Sequence, residues 1–177
     1  MSAGSHAAFE VLFRRHLRAV WNYAYRLSGS ADVAEDLTSN AFLTAWRKRK
    51  QVVLIRESAQ PWLLTVVGNL ARDEYKSARR RLRLIRRAPP PVPVPDHSES
   101  TVARLDDRQR YLETLSAIRR LPSAQRQAVE LCLLGELPQA EAAEILGVSV
   151  GTVRSHISRA RARLRTELAQ QQEASHE

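Results

Sequence analysis

The chain has 177 residues, 27% charged and 44% hydrophobic, a balance that excludes a wholly disordered or collagen-like chain. Its 28 Lys and Arg against 19 Asp and Glu give a charge of +9, which favours a polyanionic partner, either nucleic acid or an anionic membrane surface. The chain has no stretch of roughly 20 apolar residues and no secretory signal, so we expect a cytoplasmic protein without membrane insertion. Cys132 is its single cysteine, so we also expect no internal disulfide and no multi-cysteine zinc site.

The positive charge is concentrated at the N-terminal side. Residues 1–87 carry a net charge of +10, residues 88–107 carry −3 and residues 108–177 carry +2. Five prolines between positions 89 and 95 remove backbone donors and fix φ, so helix and central strand are both disfavoured there. We therefore predict two domains, 1–87 and 108–177, joined by a proline-rich acidic linker at 88–107. A long surface loop within one domain is the alternative, although structureless loops of this length are uncommon in compact domains.

Both predicted domains have helical patterns, because apolar residues recur at helical spacing without sustained period-2 alternation. A first helix ends at Ser28-Gly29-Ser30, a second covers about 32–48, and a third begins near Pro61, a residue favoured in the first turn. The apolar positions of the first helix are Phe9, Leu12, Phe13, Leu17, Val20, Trp21 and Ala24. We predict an all-α fold of two small helical domains.

Residues 137–164 have the pattern of a helix-turn-helix. Gly147 is placed to end a short helix in the left-handed conformation, and Ser149 to cap the helix that follows. Ser123 is a plausible cap of the helix before them. A buried stripe is predicted at Val153, Ile157, Ala160 and Leu164.

The opposite face of the last helix is basic, with no acid between Ile145 and Thr166. Such a helix fits the major groove, where arginine pairs with guanine and hydroxyls serve bases or phosphates. The candidate DNA-binding residues are Ser149, Thr152, Arg154, Ser155, Ser158, Arg159 and Arg161. Arg154 and its near neighbours lie early enough to contact bases, whereas Arg161 lies further back and suits phosphate. A solvated basic face on an ordinary helix is the alternative.

Two N-terminal segments, ADVAEDLTSNAFLTAW (31–46) and PWLLTVVGNLARDEYKSARRR (61–81), precede this motif. Together, in this order, they resemble the bacterial sigma-70 family, and within it the small extracytoplasmic-function (ECF) group. The resemblance covers about residues 7–87 and 108–168. It implies a promoter-specificity subunit that binds the beta and beta-prime subunits of core RNA polymerase. The first domain would capture and melt the −10 element of promoter DNA, and the second would read the −35 element.

The resemblance also implies roles for individual residues of the first domain. It assigns polymerase binding to Asp36, Ser39, Asn40 and Leu43 on the second helix. The family usually has Gln followed by an acid where this chain has Ser39-Asn40, so the patch is less acidic here. It assigns contacts with the −10 element to Asn69, Arg72, Asp73, Lys76, Arg79 and Arg80 on the third helix.

Four further expectations accompany the resemblance. The basic cluster within 76–87 suits phosphate neutralisation, and the loop at about 50–60 resembles the family's base-capturing loop. Twenty linker residues at about 3.1 Å each span roughly 60 Å, as do seventeen base pairs at about 3.4 Å. An anti-sigma factor is an expected partner.

Other functions remain open at this point. A free-standing helix-turn-helix regulator explains residues 123–168 but leaves residues 7–87 without a task. A DNA-cleaving enzyme is disfavoured because we find no clustered carboxylates, metal-ligand spacing, phosphate-binding glycine loop or nucleophile–base pair. We therefore predict no catalytic residues, metal or cofactor. A membrane-surface binder lacks the apolar stripe that should accompany residues 76–87.

Overall fold

The computed structural model describes residues 6–85 and 102–174. Within these ranges the chain forms α1 (His6–Ser28), α2 (Ala31–Arg47), α3 (Gln60–Ile85), α4 (Val102–Arg120), α5 (Ser123–Val129), a π-helical turn (Glu130–Leu134), α6 (Gln139–Leu146) and α7 (Val150–Ala174). The all-α prediction is confirmed. We refer to α1–α3 as the N-terminal half and to α4–α7 as the C-terminal half. None of the helices described is long and apolar enough to cross a bilayer.

The N-terminal half consists of three helices. The break between α1 and α2 lies where the sequence predicted it. Gly29 ends α1 with a φ of +73°, a conformation that glycine adopts without strain. The buried face of α1 includes the predicted Leu12, Val20 and Ala24. It is rotated from the predicted stripe, however, because Tyr23 and Leu27 are buried while Phe13 and Leu17 lie at its exposed edge. Phe13 and Leu17 therefore lie where α1 meets solvent.

The C-terminal half contains the predicted helix-turn-helix, α6 and α7. Gly147 follows α6 with a φ of +68°, as predicted. Ser149 Oγ accepts a hydrogen bond from the Thr152 backbone N–H at 3.0 Å, which caps the start of α7. The predicted cap at Ser123 is wrong: Pro122 occupies the N-cap position of α5 and Ser123 is already helical.

The structure also revises the length of the linker. Helix α4 begins at Val102, so residues 102–107 at the end of the predicted linker are helical. The sequence analysis included Asp106 and Asp107 in the linker because of its negative net charge. Acidic residues do not by themselves end a helix. Residues 86–101, including the five prolines, lie outside the described residues.

The two halves share one buried apolar cluster. It runs from α1, α2 and α3 through Leu131 of the π-helical turn and Leu137 to Val153 and Ile157 of α7. A smaller cluster joins α4, α5 and α7. The sequence had suggested two small, separate cores. The contact between the halves is therefore a feature that the linear pattern did not predict.

Candidate nucleic-acid interface

The four residues assigned to polymerase binding lie on the solvent side of α2. Asp36, Ser39, Asn40 and Leu43 are all exposed. They alternate with the buried Leu37 and Ala41, because residues three and four apart share one helical face. Leu43 is 43% exposed, which leaves an apolar side chain in an otherwise polar patch.

The six residues assigned to the −10 element lie along α3. Asn69, Asp73, Lys76, Arg79 and Arg80 are exposed, whereas Arg72 is half-buried. Arg72 Nε donates to the Gly68 carbonyl at 3.1 Å and its Nη2 donates to Asn69 Oδ1. Lys76 Nζ lies 4.0 Å from Asp73 Oδ1. The structure thus brings the set together on one helix, with Arg72 folded back along it.

The loop between α2 and α3 ends in a tight turn. Ile55 and Ser58 exchange two backbone hydrogen bonds, each 2.9 Å long. Between them, Arg56 and Glu57 have φ values of +48° and +62°, a conformation that is strained for side chains larger than glycine. The preceding Val53 and Leu54 are about half exposed. This turn therefore holds two apolar side chains out toward solvent on a constrained backbone.

Six of the seven residues assigned to the −35 element lie on α7, and Ser149 lies directly before it. All are exposed except Thr152, which is half-buried. Val153, Ile157 and Ala160 form the buried stripe, as predicted, and the candidate residues flank it in two rows. One row lies beside an open groove against the π-helical turn: Arg154, Ser158 and Arg161. The other lies further round the helix: Ser149, Thr152, Ser155 and Arg159. Ser149 and Thr152 also share a hydroxyl–hydroxyl hydrogen bond of 2.9 Å, so these two hydroxyls are partly committed to the cap.

A cleft between the two halves holds charged residues that sequence reasoning did not select. Its volume is about 210 Å³. Arg72, Lys76 and Arg79 of α3 line one side, and Arg119 of α4 and Glu130 of the π-helical turn line the other. Burial raises the pKa of the Glu130 carboxyl from 4.5 to about 7, although Arg126, Arg72 and Arg119 act in the opposite direction. The sequence did carry a signal, since Glu130 is the single acid in the apolar run AVELCLL.

Two other groups of residues bear on possible chemistry. Burial raises the pKa of the Cys132 thiol, which disfavours the reactive thiolate. Within residues 6–85 and 102–174, no three His, Cys, Asp or Glu side chains are placed to hold a metal ion.

Comparison with known families gives matches to both halves. Residues 12–81 match the family profile described as Sigma-70 region 2, and residues 111–164 match the one described as Sigma-70, region 4.

Among curated proteins, the chain is 34% identical over 166 residues to the ECF RNA polymerase sigma factor SigM of Mycobacterium tuberculosis, covering 92% of this chain and 78% of SigM. It is 31% identical to BldN of Streptomyces coelicolor and 34% identical to SigE of Mycolicibacterium smegmatis, both also ECF sigma factors. These matches cover 86% and 95% of this chain. The chain spans only 57% and 65% of the length of BldN and SigE.

Two solved structures are also similar. CnrH, in complex with the cytosolic domain of CnrY, matches with a TM-score of 0.62 and 25% identity, covering 94% of this chain and 90% of CnrH. The sigma factor RpoE of Bartonella quintana, in complex with the anti-sigma factor NepR, matches with a TM-score of 0.54 and 26% identity. That match covers 92% of this chain and 97% of RpoE.

Proposed function

Because this chain belongs to the ECF group of the sigma-70 family, we propose that it is a non-catalytic initiation factor that directs core RNA polymerase to promoters. The observation that carries the proposal is the presence, on one chain, of a capped helix-turn-helix with a basic exposed face and a second helical unit with an exposed basic α3. A free-standing regulator would need the first of these and has no use for the second.

In this proposal, α7 enters the major groove of the −35 element. Its N-terminal turn and exposed face carry hydroxyls and arginines at the spacing that lets several of them reach one groove. Arg154 and Ser158 share a row with Arg161, so the same face provides candidates for base contact near its start and for phosphate contact further back. The acid-free stretch favours approach to the DNA backbone.

The −10 element is assigned to α3 and to the loop before it. Lys76, Arg79 and Arg80 offer exposed positive charge to phosphates. Melting requires a base to leave the stack, at a cost of a few kcal/mol. The constrained turn at Arg56-Glu57 and the exposed Val53 and Leu54 support a role in receiving that base, because an apolar surface on a rigid loop can offset the loss of stacking.

Protein partners follow from the α2 surface and from the solved relatives. We assign binding of the polymerase beta and beta-prime subunits to the patch that contains Asp36 and Leu43. The complexes of RpoE with NepR and of CnrH with CnrY support an inhibitory protein partner for this chain as well.

The proposal is tested by reconstituted transcription. The purified chain is mixed with bacterial core RNA polymerase and a pooled library of upstream genomic fragments, and RNA 5′ ends are sequenced. We expect starts that depend on the chain and share two upstream motifs at a fixed spacing. Duplex DNA binding without any new starts would contradict the proposal and favour a free-standing regulator.

The polymerase-binding patch has its own matched test. Leu43→Ala should weaken the affinity for core polymerase roughly five- to ten-fold, since truncating an apolar contact at an interface typically costs about 1 kcal/mol or more. Val11→Ala is the control, because Val11 is also an exposed aliphatic residue on a helix of the N-terminal half. Equal affinities of the two variants for core polymerase would show that Leu43 does not belong to the interface.

A further inference from the structure

The cleft between the two halves combines positive charge with an apolar surface. Among its described lining residues Glu130 is the single acid, and five are basic: Arg72, Lys76 and Arg79 of α3, Arg119 of α4 and Arg126 of α5. Buried Leu27, Leu115 and Ile118 form the apolar part, which we call the floor. A cavity of this kind suits a ligand that carries both negative charge and an apolar part.

Hydrogen bonds between the halves fix the walls of the cleft. Arg26 Nη1 donates to the Leu134 carbonyl at 2.8 Å, and Tyr111 Oη donates to the Arg26 carbonyl at 2.6 Å. The cleft is therefore formed before any ligand arrives. Its volume of about 210 Å³ lies below the range of about 300–1,000 Å³ that is typical of sites for drug-sized ligands, which indicates a small ligand.

Two of the arginines are held in place by the protein itself. Arg119 Nη2 donates to the Leu27 carbonyl at 2.8 Å, and the Arg119 guanidinium lies 4.7 Å from the centre of the Tyr75 ring. Arg126 Nη1 donates to the Arg119 carbonyl at 3.1 Å. Because both side chains are already ordered, they lose little conformational freedom when they bind an anion.

Arg126 also has a buried donor without an acceptor. Its Nε is buried and has no hydrogen-bond partner among the described residues. Glu130 Oε1 lies 3.7 Å from it, which is beyond hydrogen-bond distance. A buried donor that is left unpaired is unfavourable, so an oxygen atom of a ligand at this position would stabilise the site.

The charges of the cleft favour a phosphate over a carboxylate. Five cationic groups face one carboxyl, that of Glu130, whose pKa burial raises to about 7. A phosphate monoester carries about −1.5 to −2 charges at pH 7 and three acceptor oxygens, whereas a carboxylate carries one charge and two oxygens. Arginine guanidinium groups also bind phosphate oxygens in pairs.

A backbone phosphate of DNA matches this cleft less well. It carries a single negative charge, and the strand continues on both sides of it. The side chain of Arg126 is only 17% exposed, and the residues of the floor are buried. A continuous strand would therefore have to bring a charged backbone against buried apolar side chains, which is unfavourable.

We propose that this cleft binds a small organic phosphate, whose phosphate group contacts Arg119 and Arg126 and whose organic part lies on the floor. The inference goes beyond the proposed function, since the binding can be measured without polymerase or promoter DNA. A chain that binds the ligand but directs no initiation would contradict only the proposed function.

The first test is isothermal titration calorimetry of the full chain at pH 8, with phenyl phosphate and inorganic phosphate as probes. Phenyl phosphate should bind at least ten-fold more tightly than inorganic phosphate, because the floor removes its ring from water. Lys76→Gln/Arg79→Gln should weaken its binding at least five-fold. Equal affinities for the two probes would overturn the role of the floor.

Arg80→Gln/Arg81→Gln is the matched control. It removes the same charge from the same helix, both residues are exposed, and neither lines the cleft. Its affinity for phenyl phosphate should equal that of the wild type. Equal losses in the two double variants would show that the probe responds to net charge alone, which would overturn the site.

The second test looks for a gain of binding, which misfolding does not produce. At pH 8 the Glu130 carboxyl is charged in the free chain, since its pKa is about 7. Glu130→Gln removes the acid that opposes the phosphate and should bind phenyl phosphate at least three-fold more tightly than the wild type. An unchanged or weaker affinity would overturn the placement of the phosphate beside Glu130.

The third test locates the probe by nuclear magnetic resonance of the arginine Nε–H groups at pH 6.5. Phenyl phosphate should shift the Arg126 signal and leave that of Arg49 in place, although Arg49 Nε is also buried without a partner. A shift of both signals, or of neither, would overturn the site. A thymidine tetranucleotide that shifts the Arg126 signal at lower concentration than phenyl phosphate would assign the cleft to DNA instead.

Discussion

Glu130 is a buried acid at the contact between the two halves. Its carboxyl faces Arg126 on its own side, Arg119 on α4, Arg72 on α3 and Tyr23 on α1. Desolvation outweighs the arginines and raises its pKa to about 7. Between pH 4.5 and 7 the folded chain therefore binds more protons than the unfolded chain, so its stability falls as the pH rises through this window and then levels off.

Glu130→Gln should remove this pH dependence. The rise of the pKa from 4.5 to about 7 corresponds to about 3 kcal/mol, so the variant should match the wild type at pH 4 and exceed its stability by up to that amount at pH 8. Urea denaturation at several pH values measures the difference. His16 acts in the opposite direction in both proteins, because burial and then Arg15 lower its pKa and stability is lost as the pH falls below about 6.5.

The control for this prediction is Glu144→Gln, which changes an exposed acid on α6. It should keep the pH profile of the wild type. A profile of Glu130→Gln that parallels the wild type would show that Glu130 does not titrate in this window.

Arg154 and Arg161 lie in one row of α7 but have different predicted roles. Arg154→Ala should cost about 1–3 kcal/mol on the preferred −35 sequence and relax the preference at one base pair. Arg161→Ala should weaken binding to all sequences alike and reduce the salt slope by about one. Fluorescence anisotropy with the preferred duplex and single-substituted duplexes, at several salt concentrations, separates the two. Uniform weakening by Arg154→Ala would contradict base contact.

At the scale of the element, the turn between α6 and α7 depends on backbone conformation more than on packing. Gly147 has a left-handed φ, and among the described residues no heavy atom beyond its chain neighbours lies within 4 Å of the position where a β-carbon would stand. A larger residue there would therefore be disfavoured by its φ alone. Gly151, in the first turn of α7, has a right-handed helical environment and only Ser149 Oγ nearby, at 3.7 Å.

Alanine at these two glycines should have opposite effects on stability. Gly147→Ala should destabilise the protein by about 1 kcal/mol, because the left-handed conformation is unfavourable for L-residues with a β-carbon. Gly151→Ala should stabilise it by about 0.5 kcal/mol, because alanine favours the helix and restricts the unfolded chain. Thermal unfolding followed by circular dichroism measures both. Gly147→Asn should recover part of the loss, whereas equal effects of all three changes would exclude the conformational explanation.

Local elements were predictable because their signals are local. Gly29, Gly147 and the Ser149 cap each lie within a few residues of the helix ends that they determine, and the α7 stripe repeats at helical spacing. The prediction failed where two adjacent residues compete for one role, as at Pro122 and Ser123. The predicted end of the linker was also wrong, because it was placed by net charge, whereas residues 102–107 are helical.

The contact between the halves had no local signal. The Arg26 side chain and the Leu134 carbonyl are 108 residues apart in sequence, and nothing near either residue specifies the other. Of the candidate site, the exposed face of α7 followed from helical periodicity, whereas the residues on α2 and α3 were selected through the family resemblance. The half-burial of Arg72 did not, because it depends on residues from α4 and the π-helical turn.

The shared cluster has a consequence for the unfolding of the whole molecule. Each half alone is small and buries a limited share of its surface, so each depends on the other for apolar burial. We expect a single cooperative transition in urea for the wild type. Trp21, Trp46 and Trp62 all lie in the N-terminal half, so tryptophan fluorescence follows that half while far-ultraviolet circular dichroism follows both.

The two probes should give coincident transitions in the wild type, which is the usual test for two-state unfolding. Arg26→Ala/Arg119→Ala should separate them, because the ties that couple the halves are lost while the helices within each half keep their own contacts. Arg14→Ala/Arg120→Ala should leave the transitions coincident, since its arginines act inside each half. Separate transitions in the wild type would mean that the halves unfold independently and that their shared cluster contributes little to stability.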